Sequence, residues 1–83
     1  MRCISVYTRD FGSFSDLYEQ ILVSPPAENE EIVLEGITVS GAGEVPEGYI
    51  ERLRERPDVV VMKERTHGAT ILQHGDLFEI CLP

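Results

Sequence analysis

Two histidines, two cysteines and a crowd of carboxylates are the residues in this sequence whose types could do chemistry. His67 and His74 each precede a glycine, and each pair is flanked by strand-like residues, Ala69 to Gln73 and Leu77 to Leu82. An X-Gly pair between such runs signals a hairpin. The strand joining the two would span ~17 Å at ~3.3 Å per residue, which sets the imidazoles at opposite ends of a sheet, too far apart for one ion. A turn role is sufficient for both, since histidine tolerates positive φ better than most residues.

Cys3 and Cys81 fall near opposite ends of the chain, each in a strand-like segment. Alternation assigns Ile4 and Val6 to the core face of the first strand, and Phe78, Ile80 and Leu82 to the core face of the last. Cys3 and Ser5 then share the other face with Glu79 and Cys81, so the two sulfurs approach each other if these strands are neighbours. Two thiols without further cysteines make a poor structural zinc set, which wants four ligands. Nor are they a disulfide scaffold. We therefore expect free thiols in a reducing compartment, with no metal and no cofactor.

Other patterns fail as catalytic motifs. Gly41-x-Gly43 begins a dinucleotide fingerprint, but Pro46 stands where the third glycine belongs, and Glu44 and Glu47 would repel a phosphate. Asp10-Phe11-Gly12 spells a kinase tripeptide in a chain too short for the remaining kinase elements. Ser13 and Ser15 have no neighbouring base, and Ser13 with Asp16 suits a helix cap. Glu28, Glu30 and Glu31 lack the glycine-punctuated spacing of a calcium loop.

The elements that must hold these residues follow from periodicity. A strand over Arg2 to Tyr7 leads into a helix with Phe14, Leu17, Tyr18, Ile21 and Leu22 on one face, stopped by Pro25-Pro26. A second strand changes parity at Gly36, as a bulge or tight turn requires. Ser40 to Gly43 reads as a flexible connector. A second helix opens near Pro46, buries Tyr49, Ile50 and Leu53, and ends before Pro57. Val59 to Met62 is apolar on both faces, which reads as an interior strand, and two more strands complete a meander. The expected fold is α+β: a two-layer sandwich of order β-α-β-α-β-β-β, both helices on a mixed sheet that ends in a three-stranded meander, forming a single domain over residues 1–83.

Charge supplies the functional expectation. The chain has 83 residues and a formal net charge of −8. Its acids Asp10, Asp16, Glu19, Glu28, Glu30, Glu31, Glu35, Glu44, Glu47 and Glu51 run without an intervening lysine or arginine. Such a half-domain repels phosphate backbones, so nucleic acid and anionic membrane are excluded as partners. No apolar run approaches the roughly 20 residues of a membrane span, and Met1 to Val6 resembles no signal peptide, so a cytoplasmic protein is expected.

Tyr7, Leu77 and Cys81 would lie on a sheet face too apolar for solvent, which suggests an association surface. The expectation is a non-catalytic accessory or regulatory subunit. It would be homodimeric through Tyr7, Leu77 and Cys81, and would engage a basic protein through Glu28, Glu30 and Glu31. The alternative is a small-molecule sensor or minor enzyme subunit, its ligand held between the second helix and the meander, with Arg54, Arg56, Lys63 and Arg65 as anion contacts.

Overall fold

The computed structural model describes the backbone from Met1 to Pro83 and every side chain except that of Ala42. The elements are β1 (Arg2–Val6), α1 (Phe11–Val23), β2 (Glu31–Leu34), β3 (Ile37–Glu44), α2 (Tyr49–Arg54), β4 (Val59–Lys63), β5 (Thr70–His74) and β6 (Leu77–Leu82). The strands form one six-stranded sheet in the order β2-β3-β1-β6-β5-β4. Every neighbouring pair is antiparallel, so the α+β class and the carboxy-terminal meander hold while the expected mixed sheet does not.

The strand expected to bend at Gly36 is two strands. Glu35 at φ 49° and Gly36 at φ 81° form the whole loop of a hairpin, and Leu34 pairs directly with Ile37. Positive φ at both loop residues is the type I′ geometry that matches strand twist. Glutamate is a poor occupant of its first position, where Asn, Asp or Gly is usual, and that disguises the turn. The second two-residue hairpin loop, Gly75-Asp76, has positive φ only at the glycine, so His74 is the last strand residue and not a turn residue.

Ser40 to Gly43, expected as a connector, is the end of β3. Its glycines serve packing. A Cβ on Gly41 would lie 2.2 Å from the Ala27 carbonyl oxygen, so the chain at Pro26-Ala27 runs against bare backbone. Gly43, at φ 75°, lies where the β1–β3 register slips between the Arg2–Glu44 and Ile4–Gly41 pairs, a bulge opposite Cys3.

Helix α1 begins three residues earlier than the Ser13 cap would give. Asp10 is the N-cap: its Oδ2 accepts the Ser13 N–H at 3.1 Å and the Ser13 hydroxyl at 2.7 Å. These bonds hold the Asp10 carboxyl below its ordinary pKa. Phe14, Leu17 and Ile21 pack on Ile4, Val6, Val39, Ile71, Phe78 and Ile80. Phe14 stacks on Phe78 with ring centroids 4.2 Å apart.

The second helix does not join this layer. Ile50 and Leu53 of α2 pack on Cys3, Val59, Leu72 and Cys81. Those strand residues alternate with the ones beneath α1 and therefore point the other way. The expected common core splits accordingly: Phe14, Leu17, Ile21, Phe78 and Ile80 lie on one side of the sheet, Tyr49 and Leu53 on the other. The arrangement is helix, sheet, helix, rather than two layers. It also explains Val59 to Met62. Met62 packs towards α1 while Val59 and Val61 pack towards α2, although β4 is an edge strand and Val60 is 53% exposed. Apolarity on both faces reflected two helical layers, not two flanking strands.

Candidate functional site

Strand pairing aligns the residues that face α2 into rows across the sheet. The row nearest the carboxy terminus of β6 pairs Cys3 with Cys81 and Cys81 with Thr70. The next runs Glu31, Ser40, Ser5, Glu79 and Leu72. The third runs Val33, Thr38, Tyr7, Leu77 and His74, Tyr7 donating its N–H to the Thr38 carbonyl at 2.9 Å.

The first row corrects the expectation of free thiols. Cys3 and Cys81 are directly opposite partners with Cα atoms 4.0 Å apart, and they are joined as a disulfide. The pairing that alternation left conditional is realised because β1 and β6 are neighbours at the middle of the sheet. The bond also removes the free-thiol ground for a reducing compartment. No helix among the described residues is long and apolar enough to cross a membrane.

Next to the disulfide is a buried polar cluster that sequence reasoning missed. Glu79 is 5% exposed. Its Oε1 accepts the Tyr49 hydroxyl at 2.8 Å and lies 2.7 Å from His74 Nε2, the donor to a carboxylate. Burial, then the hydrogen bond to Glu79 and its negative charge, push the Tyr49 hydroxyl up to about 12. Glu79 and the two cysteines bring a carboxylate oxygen and two sulfurs within 4.8 Å of one another, all buried. The i, i+2 placement of Glu79 and Cys81 was visible in the sequence. The contributions of Tyr49 and His74 depend on where α2 docks and how β5 registers with β6.

On the opposite side of the sheet, Glu64 closes the loop between β4 and β5. It accepts the backbone N–H groups of Thr66 and His67, the latter at 2.9 Å, together with the Tyr18 hydroxyl at 3.0 Å and His67 Nδ1 at 3.1 Å. Partial desolvation raises the Glu64 pKa, but the amides and then the side-chain donors outweigh it and hold the carboxyl at about 2. Burial and the Glu64 carboxylate raise Tyr18 well above its ordinary value. His67 and His74 thus serve two separate carboxylates and do not meet.

The acidic residues Glu28, Glu30 and Glu31 are exposed at the β2–β3 edge. Their segment is fastened to β3. Asn29 N–H donates to the Gly41 carbonyl at 3.1 Å, Gly41 N–H to the Glu30 carbonyl at 3.0 Å, and Ala27 N–H to Glu30 Oε1 at 2.8 Å. None of the three carboxylates enters an ion pair among the described residues.

Of the other candidate residues, Tyr7 is 49% exposed, Leu77 is half-buried, and Cys81 is sealed beneath α2. Arg54, Arg56, Lys63 and Arg65 are exposed, and Arg56 is engaged by Asp58 at 2.9 and 3.2 Å. Helix α2 packs directly on β4 and β5 through Ile50 and Leu53, so the cations line no cleft between them. The groove of about 670 Å³ beside α2 is bordered by Val45, Pro46 and Tyr49 and by the acids Glu47 and Glu51. No protein-family model matches the chain, and no curated protein or solved structure matches it either.

Proposed function

We propose that this chain is a non-catalytic interaction module, an accessory or regulatory subunit whose acidic edge engages a basic protein. The observation that carries the reading is the sheet order. The acidic half of the sequence supplies β2 and β3 at one edge, whereas Lys63 and Arg65 belong to the β4 edge and Arg52, Arg54 and Arg56 to the end of α2. Glu55, Asp58 and Glu64 offset those cations, so the β2–β3 edge is the more negative side of the sheet, and such an asymmetry steers diffusional encounter. The hydrogen bonds of Asn29 and Glu30 to Gly41 of β3 support the same reading, because a preformed surface loses little freedom on binding.

A second copy of the chain is the proposed occupant of the uncovered row. There Val33 is 65% exposed and Tyr7 49%, with Leu77 continuing the apolar line. Cys81 drops out of that interface because α2 and the disulfide bury it. The test of the acidic edge is titration with an arginine-rich peptide over a salt series. Binding should weaken steeply between 0.05 and 0.5 M salt, as the Debye length contracts through roughly 10 Å at 0.1 M. Replacing Glu28, Glu30 and Glu31 with Gln should remove most of that salt dependence. Binding indifferent to both salt and substitution would refute the proposal.

A further inference from the structure

We propose that Cys3, Cys81 and Glu79 form a redox-gated site for a thiophilic divalent cation of the zinc class, shut when the cysteines are joined and opened when they are reduced. The geometry is that of a chelate. Two cysteines directly opposite on adjacent strands, with Cα atoms 4.0 Å apart, present both sulfurs to one point. In a tetrahedral site with zinc–sulfur bonds of ~2.3 Å the sulfurs stand ~3.8 Å apart, a spacing that two opposed side chains reach once the bond between them is gone. Glu79 projects from the same face two residues before Cys81, and its carboxylate oxygen and both sulfurs already lie within 4.8 Å of one another.

The surroundings of Glu79 suit a ligand. Tyr49 and His74 both bond Oε1, and Oε2 has no hydrogen-bond partner among the described residues. Donors fixed on one oxygen orient a carboxylate for metal binding through the other. Ile50 and Leu53 cover both cysteines with apolar surface. Two sulfurs with one oxygen select zinc-like ions over magnesium or calcium, which take oxygen ligands. Three protein ligands leave a fourth position for water or an incoming donor. The bulge at Gly43 is opposite Cys3, and bulges recur beside functional sites, where they re-aim a side chain.

Opening the site is a two-electron reduction by a dithiol. Both cysteines are 1% exposed beneath α2, so a reductant reaches the sulfurs only when α2 lifts from the sheet. A thiolate of the reductant then attacks Cys3 Sγ, the disulfide bond breaks, and Cys81 leaves as its thiolate. The second thiol of the reductant resolves the mixed disulfide, so the reductant departs as its own cyclic disulfide and both cysteines end as thiols. The cation then displaces two thiol protons to solvent and binds the two thiolates and the carboxylate.

Cobalt(II) alone is the probe. The protein reduced by a phosphine without oxygen should take up one equivalent and develop thiolate-to-cobalt charge-transfer absorption, which zinc abolishes. The oxidised protein should show no such band. His74→Gln should weaken cobalt affinity roughly 10–100-fold at unchanged stoichiometry. Glu79→Gln should weaken it further. A folded, reduced protein that gives no band would overturn the proposal, as would uptake that persists after both cysteines are alkylated. If reduction loosens the fold, zinc must restore the native circular dichroism, and failure to restore it contradicts the proposal equally.

Discussion

Glu35 and Glu64 show how single residues in this chain work against, or with, their backbone. Glu35 occupies the left-handed region at φ 49° as the first residue of a two-residue hairpin loop. A side chain with a Cβ is disfavoured there by roughly 1–2 kcal/mol, and asparagine bears that conformation better. Glu35→Asn should therefore raise stability by a few tenths to about 1 kcal/mol, read as a higher urea midpoint with an unchanged slope.

Glu64 has the opposite character. Its folded pKa of about 2 lies below the ordinary 4.5, so its contribution to stability is complete above pH 4.5 and disappears as pH falls towards 2. Glu64→Gln should flatten the stability profile between those two values and leave the profile above pH 5 parallel to that of the parent. A profile still equally steep between pH 4.5 and 2 would assign the acid limb to other carboxylates. Neither role was legible beforehand. Glutamate is not a type I′ signal, and the donors to Glu64 come from a loop and from α1, which is distant in sequence. The cysteine pair was legible up to the strand order, since alternation put both sulfurs on one face.

At the scale of elements, periodicity identified both helices and the strands of the meander, because each carries an uninterrupted apolar rhythm. It could not tell which side of the sheet receives α2. An amphipathic helix of six residues shows that one face must be covered and says nothing of what covers it. The apolar residues on both faces of β4 held that information, but an interior strand accounts for them equally well.

The end of β3 was misread because Gly41 and Gly43 look like a flexible link. Gly41 admits the close passage of Pro26 and Ala27, and Gly43, at φ 75°, lies against the Glu28 side chain at the bulge. Gly41→Ala should accordingly be destabilising by about 1–3 kcal/mol, because the added carbon meets backbone that cannot swing aside. It should also loosen the acidic segment, visible as faster amide exchange at Asn29 and Glu30. Exchange unchanged at both amides would mean that the segment is held by something other than this packing.

The whole molecule has a radius of gyration of 11.9 Å, against about 11.8 Å expected of a compact chain this long. One side of its sheet is covered by α1 over all but the β4 edge, where Val60 is 53% exposed, and the other only partly by the short α2. The uncovered row reaches the acidic edge at β2, where Val33 and Glu31 share a face, but Leu77 on β6 lies three strands from that edge, so changes at Leu77 and at the acids should act differently. Leu77→Lys should dissociate the proposed homodimer in sedimentation equilibrium, while salt up to 1 M should leave the parent dimer intact. A parent protein that is monomeric at high micromolar concentration would remove the dimer from the account.

The acidic edge itself is tested most directly by comparing two variants that lose the same charge in different places. One replaces Glu28, Glu30 and Glu31 with Gln; the other replaces Glu47, Glu51 and Glu55, exposed acids in and around α2. Each variant's association rate with an arginine-rich peptide is measured at 0.05 M salt. The first triple substitution should slow association about tenfold or more and the second should change it by less than about threefold, because a localised field acts within about a Debye length. Equal slowing by both would show that net charge alone draws the peptide, and it would contradict a binding surface at the β2–β3 edge.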